Sequence, residues 1–108
     1  MAIPTELIGT ILERTRERKL SWSELSSTGF TAPIMPNSLI IDQTTDRRGS
    51  VEYVLRVANE QGTVLAAASE GEDDFAPGPV QQIYEMARRQ ALRVDETLVN
   101  IKHALEKL

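Results

Sequence analysis

The chain contains no cysteine, so disulfides, thiolate metal ligands and thiol nucleophiles are excluded, and nothing points to an oxidising compartment. Histidine occurs once, at His103. A lone imidazole with no Cys or second His cannot make a zinc site by itself, and no nucleophile-elbow motif supplies a serine for it to activate. An excess of positive charge is also missing: 12 Lys and Arg stand against 16 Asp and Glu, for a formal net charge of -4. General binding to nucleic acid or anionic membrane, which rests on phosphate neutralisation, is thereby disfavoured. Long apolar runs are absent too. The stretch MAIPTELIGTILERTRERKL is interrupted by Glu6, Glu13 and Glu17 where a signal peptide would be continuously apolar, and no segment approaches the roughly 18 residues of a membrane span. A soluble, cytoplasmic protein is the expectation.

What remains is ordinary globular material. With 108 residues, 41% hydrophobic and 26% charged, the composition fits one domain, residues 1–108, able to bury a core without staples. Leu7, Ile8, Ile11, Leu12 and Thr15 recur at helical spacing opposite Glu13, Arg14, Arg16, Glu17 and Arg18, which predicts an amphipathic helix over about 5–19 with Thr5 as its N-cap. Residues 20–37 are Ser-rich and carry Gly29, Pro33 and Pro36. They read as a loop, with a short edge strand near Phe30. Three strands succeed it at about 38–45, 51–60 and 63–69. The alternation of Val51, Tyr53, Leu55 and Val57 marks the middle one as half-buried, and Gly49 and Gly62 turn the chain between them into an antiparallel meander. The acidic, Gly- and Pro-bearing stretch 70–79 reads as a loop.

From Val80 onward, apolar or small residues fall at Val80, Tyr84, Ala87, Ala91, Val94, Leu98, Ile101, Leu105 and Leu108, in alternating steps of four and three. That is a 3.5-residue repeat, which puts a straight seam on a helix over about 80–107 and favours packing against another helix. Such a helix would be about 43 Å long, whereas an eight-residue strand spans about 26 Å. Its last turns therefore outrun the sheet. Val94, Leu98, Ile101, Leu105 and Leu108 become the candidate association seam, to be covered by the first helix or by a second subunit.

Three other features carry side chains capable of chemistry. Arg14, Arg16, Arg18, Arg47, Arg48, Arg88, Arg89 and Arg93 fall in three places along the chain and form a candidate basic patch for phosphate or an acidic partner if the fold gathers them, although neighbouring Glu and Asp offer ordinary surface pairs. Glu70, Glu72, Asp73 and Asp74 make an acidic loop without calcium-loop spacing. Trp22, the sole tryptophan, is expected to plug the core end with Phe30 rather than to line a ligand platform. No catalytic residue, metal site or cofactor is assigned.

The segments ERTRERKLSW, VEYVLRVANEQGTVL and IYEMARRQALRVDETL together resemble a pattern recurring in small bacterial and mobile-element proteins: a Leu-rich helix ending in Lys-Leu-x-Trp, a short meander, then a helix with Tyr-Glu-x-Ala-Arg-Arg and Val-Asp-Glu. The resemblance implies an architecture and transfers no activity. The helix-meander-helix order is also similar to the double-stranded-RNA-binding domain, but PGPVQQIYE stands where that family has a basic, Lys-rich helix start. The expected fold is α+β: an N-terminal helix, a three- to four-stranded antiparallel meander and one long C-terminal helix packed on the sheet. The expected role is a non-enzymatic interaction or regulatory module that pairs with a second copy or another protein through its last helix. Nucleic-acid or nucleotide binding through the Arg clusters, and a small-molecule pocket near Trp22, are the alternatives.

Overall fold

The computed structural model describes residues 1–108 as an α+β domain. Helix α1 spans Thr5–Arg16, strands β1 to β5 span Ser23–Glu24, Gly29–Ile34, Asn37–Thr45, Val51–Ala58 and Val64–Gly71, and helices α2 and α3 span Pro79–Ala91 and Val94–Glu106. The five strands pair in sequence order, every pairing antiparallel. The meander is thus one strand longer than the expected three to four: the short strand anticipated near Phe30 is β2, lying inside the sheet, and the Ser-rich stretch adds β1 at its edge.

Register explains which face is buried. Leu39 lies opposite Val57, Ile41 opposite Leu55 and Gln43 opposite Tyr53, so one face of the central pair carries the large apolar side chains while Ile40, Asp42, Val54 and Arg56 occupy the other. The apolar face meets α2. Val80, Ile83, Tyr84 and Ala87 of that helix are buried, with Ile41, Leu55 and Ile83 the largest side chains fully enclosed. Tyr84 stacks at a tilt against Phe30 and Tyr53, with ring centroids 5.6 and 5.0 Å away, within the range that favours inclined aromatic pairs.

The two long turns use one device twice. Asp46 Oδ1 accepts from the N–H groups of Arg48 and Ser50 at 2.8 and 2.9 Å, and Asn59 Oδ1 accepts from those of Gln61 and Thr63 at 3.0 and 2.9 Å. The carboxylate or amide oxygen substitutes for a backbone acceptor, and Gly49 and Gly62 take the left-handed conformation each turn needs, at φ 85° and 84°. At the sheet edge, Ile3 N–H donates to the Ala67 carbonyl and Ala67 N–H to that of Met1, at 3.2 and 2.9 Å. The first residues therefore cover part of β5 and bury Ile3.

Helix ends differ from the sequence expectation. Pro4, not Thr5, is the N-cap of α1, and no side chain caps it. Helix α2 begins with Pro79 after Gly78, where a missing N–H costs nothing, and Glu70 of β5 reaches its exposed amides: the carboxylate accepts from Gln81 N–H at 3.1 Å and Val80 N–H at 3.4 Å. A strand residue thereby complements the positive end of the helix it supports.

The largest correction concerns the C-terminal helix. It is not continuous over 80–107: α2 ends with Leu92 as its C-cap, and Arg93 adopts φ 52° and ψ 47° before α3 starts. Only α2 packs across the sheet. Helix α1 lies along α2, closing the core with Ile11, Leu20 and Trp22, and it does not cover α3. No helix is long and apolar enough to cross a membrane.

Candidate functional site

Helix α3 is the first candidate. Among the helices and strands it packs only on α2, and it buries none of its 13 residues. Val94 is half-buried beside the joint, whereas Leu98, Ile101 and Leu105 are 53%, 50% and 63% exposed and Leu108 is almost wholly so. The residues of the predicted seam thus all follow the break at Arg93, and the distal ones face solvent. Asp95 and Glu96 in the first turn and His103 in the last suit the helix dipole. An isolated helix of that length is marginal in water even so, because nucleation is costly and few bonds repay it.

The second candidate is a cleft where three helix ends converge. It encloses about 330 Å³ and is lined by Thr15, Arg16, Arg18, Met86, Arg89, Gln90, Arg93, Asp95 and Glu96. Arg18 comes just after the C-cap of α1 in the left-handed conformation, φ 59°. There Lys19 N–H donates to the Arg14 carbonyl at 2.9 Å and Arg18 N–H to that of Thr15 at 3.0 Å. Those two bonds are a Schellman-like termination, in which glycine normally holds the left-handed position. Arg93 takes the same conformation at the end of α2, with its N–H on the Gln90 carbonyl at 3.2 Å.

Within the cleft Asp95 is the shared acceptor. Its Oδ1 takes Arg89 Nη2 at 2.6 Å and Nε at 2.9 Å, and its Oδ2 lies 3.7 Å from Arg18 Nη2. Arg16 donates to Glu13 at 2.9 Å and to Gln82 at 3.3 Å, and Arg93 lies 4.0 Å from Glu96. The predicted basic patch is accordingly divided. Arg16, Arg18, Arg89 and Arg93 come together, whereas Arg47 and Arg48 belong to the β3–β4 turn and Arg88 does not line the cleft. Arg14 instead donates to Glu17, which it and Lys19 hold below the usual carboxylate range.

Arg14 also lines an apolar cleft of about 310 Å³ between α1 and the β2–β3 end of the sheet, with Leu7, Ile11, Leu20, Ile34, Leu39 and Val57. It exists because α1 packs on α2 and not on the strands. Trp22 lines neither cleft. It is buried in the same core as Phe30, and its indole N–H donates to Thr15 Oγ1 at 3.1 Å, a packing role.

Of the four acidic residues in the stretch expected to be a loop, Glu70 belongs to β5, and Glu70, Glu72 and Asp73 are engaged in holding the fold. Besides Glu70 at the start of α2, Glu72 accepts from Tyr53 O–H at 3.0 Å and Asp73 Oδ1 from the N–H groups of Phe75 and Ala76, both at 3.0 Å. Burial and the Glu72 carboxylate push the Tyr53 phenol up to about 12. His103 is exposed on α3.

The convergence of Arg18 with Arg89 and Arg93 is not foreseeable from spacing. Its only trace in the sequence is negative: no glycine ends α1 or α2, so nothing announces that the chain reverses at Arg18 and Arg93. No protein-family model matches the chain, and no curated protein or solved structure matches it significantly.

Proposed function

We propose that this protein is a non-enzymatic interaction module whose α3 serves as an association arm, pairing with α3 of a second copy. The observation that carries the reading is that α3 keeps Leu98, Ile101 and Leu105 at least half exposed while burying nothing. Each of these side chains forgoes roughly half of the 1.5–3 kcal/mol that full burial contributes. The alternating spacing of four and three places them on one stripe, the arrangement that interlocks with an equal stripe on another helix. A twofold pairing satisfies both copies with the same residues. A cytoplasmic setting belongs to the same proposal, supported by the cysteine-free sequence.

Light scattering across a concentration series, with Leu98→Glu and Leu105→Glu run beside the parent, tests this reading. The expected result is a parent dimer that either substitution dissociates into folded monomers. A parent that stays monomeric at all concentrations removes the proposal.

A further inference from the structure

The junction of the three helices has a chemistry that association through the distal part of α3 does not use. Four guanidinium groups line the cleft against two carboxylates, leaving two formal positive charges in excess on a chain whose net charge is -4. Every basic residue there is arginine, the side chain whose planar fork matches oxyanions in two-point contacts. Two of the four, Arg18 and Arg93, are the only residues other than glycine with positive φ. Left-handed residues other than Gly, Asn or Asp are uncommon, and such conformations cluster where function holds them in place. That both are arginines, and that both border one cleft, is not required by helix termination, which glycine would serve better.

The cleft already holds an anion of its own. The Asp95 carboxylate takes two N–H groups of Arg89 on one oxygen and faces Arg18 with the other. This is an oxyanion held between a guanidinium group on α2 and another just beyond α1. Its hold is shallow, since Arg89, Arg18 and Asp95 are each more than half exposed and exposed ion pairs are weak and screened. An external anion with more charge and more acceptor oxygens than a carboxylate can therefore displace it.

We propose that this cleft binds the phosphoryl group of a phosphorylated small molecule, with Arg18 and Arg89 as its principal donors. Asp95 holds the anion position until the ligand takes it. A volume of about 330 Å³ suits a small ligand carrying one or two phosphoryl groups. Arg16 and Arg93, at the rim with their own partners Glu13 and Glu96, add attraction for a second phosphoryl group. The site uses α1, α2 and only the first turn of α3, so it stands apart from the exposed stripe at Leu98 and Leu105.

Isothermal titration calorimetry with pyrophosphate at low ionic strength, on the full chain, tests the proposal. One saturable site is expected. Arg89→Gln and Arg18→Gln, both at exposed positions, are expected to weaken it by about 10- to 100-fold, the range for losing a hydrogen bond to a charged group. Asp95→Asn is expected to strengthen it by about two- to fivefold, as removal of an exposed competing ion pair would. Arg47→Gln combined with Arg48→Gln leaves affinity unchanged if the cleft is the site, and lowers it equally if the attraction is only general. Leu98→Glu is expected to keep full affinity whether or not it changes the solution mass, which separates this proposal from the association reading. Absence of a saturable heat, an equal loss in the Arg47 and Arg48 variant, or weaker binding by Asp95→Asn overturns it. So does tighter binding of a mixed-sequence single-stranded RNA than of pyrophosphate.

Discussion

Helices α2 and α3 each have 13 residues and share one apolar spacing, yet α2 buries five side chains and α3 none. The difference lies in what stands opposite them. Beneath α2 the paired strands present Leu39, Ile41, Tyr53 and Leu55 on one face, and Glu70 from the sheet complements its N-terminus. Beyond Arg93 there is no sheet, and α1 runs beside α2 instead. A periodic apolar stripe therefore specifies a helix that has something to bury, and leaves open whether the partner is in the same chain.

The sharpest way to test that contrast is a pair of matched truncations. Ile83→Ala removes a fully enclosed side chain of α2 and is expected to cost about 2–5 kcal/mol. Ile101→Ala, at a half-exposed position of α3, should cost the monomer less than about 1 kcal/mol. Urea denaturation measures both. If the Ile101 cost rises with protein concentration, the missing partner of α3 is a second copy. Equal costs at high dilution would mean that α3 is covered within its own chain.

Alkaline titration should separate the two helices as well. Tyr84 of α2 packs on Tyr53, and burial raises both phenols, that of Tyr53 to about 12. The folded chain thus keeps a proton that the unfolded chain releases near 10. Between those values the unfolded state binds fewer protons, so stability, fully present below pH 10, falls as pH rises, by up to about 1.4 kcal/mol per pH unit for Tyr53, with Tyr84 acting in the same direction. Tyr53→Phe is expected to flatten this fall while losing the hydrogen bond to Glu72, at about 1 kcal/mol near neutrality. Substitutions on α3, which has no tyrosine, should leave the slope unchanged. Urea midpoints at several pH values between 8 and 11 supply the comparison.

The parts legible in the sequence are those with a local cause. Alternation at Val51, Tyr53, Leu55 and Val57 places β4, and Gly49 and Gly62 mark the turns flanking it. The exposed apolar stripe of α3 is legible for the same reason, since spacing alone defines it. Strand β2 is legible only as a short edge strand near Phe30; its full extent and its place between β1 and β3 are hidden because Pro33 and the Ser-rich flank outweigh a short run whose pairing, Phe30 opposite Ile41, is a long-range fact. The break at Arg93 is hidden because arginine is a good helix former and carries no stop signal. The arginine cleft depends on that break and on the reversal at Arg18, so which of the basic residues share it cannot be read from their positions along the chain.

The smallest expected effect concerns those two reversals. Replacing Arg18 by Gly relieves the left-handed strain that Ala retains, so Arg18→Gly should be more stable than Arg18→Ala by about 1 kcal/mol in thermal or urea unfolding. Both variants lack the guanidinium, so their difference isolates the backbone. At Arg93 the same pair should differ much less in global stability, because α3 buries nothing and is expected to open locally before the core does. There the difference should appear instead in amide exchange of α3, with the Gly variant more protected over the first turn. If Arg93→Gly and Arg93→Ala differ globally as much as the Arg18 pair, α3 is folded into the same cooperative unit as α2. The contrast between the two helices would then be one of exposure alone and not of stability.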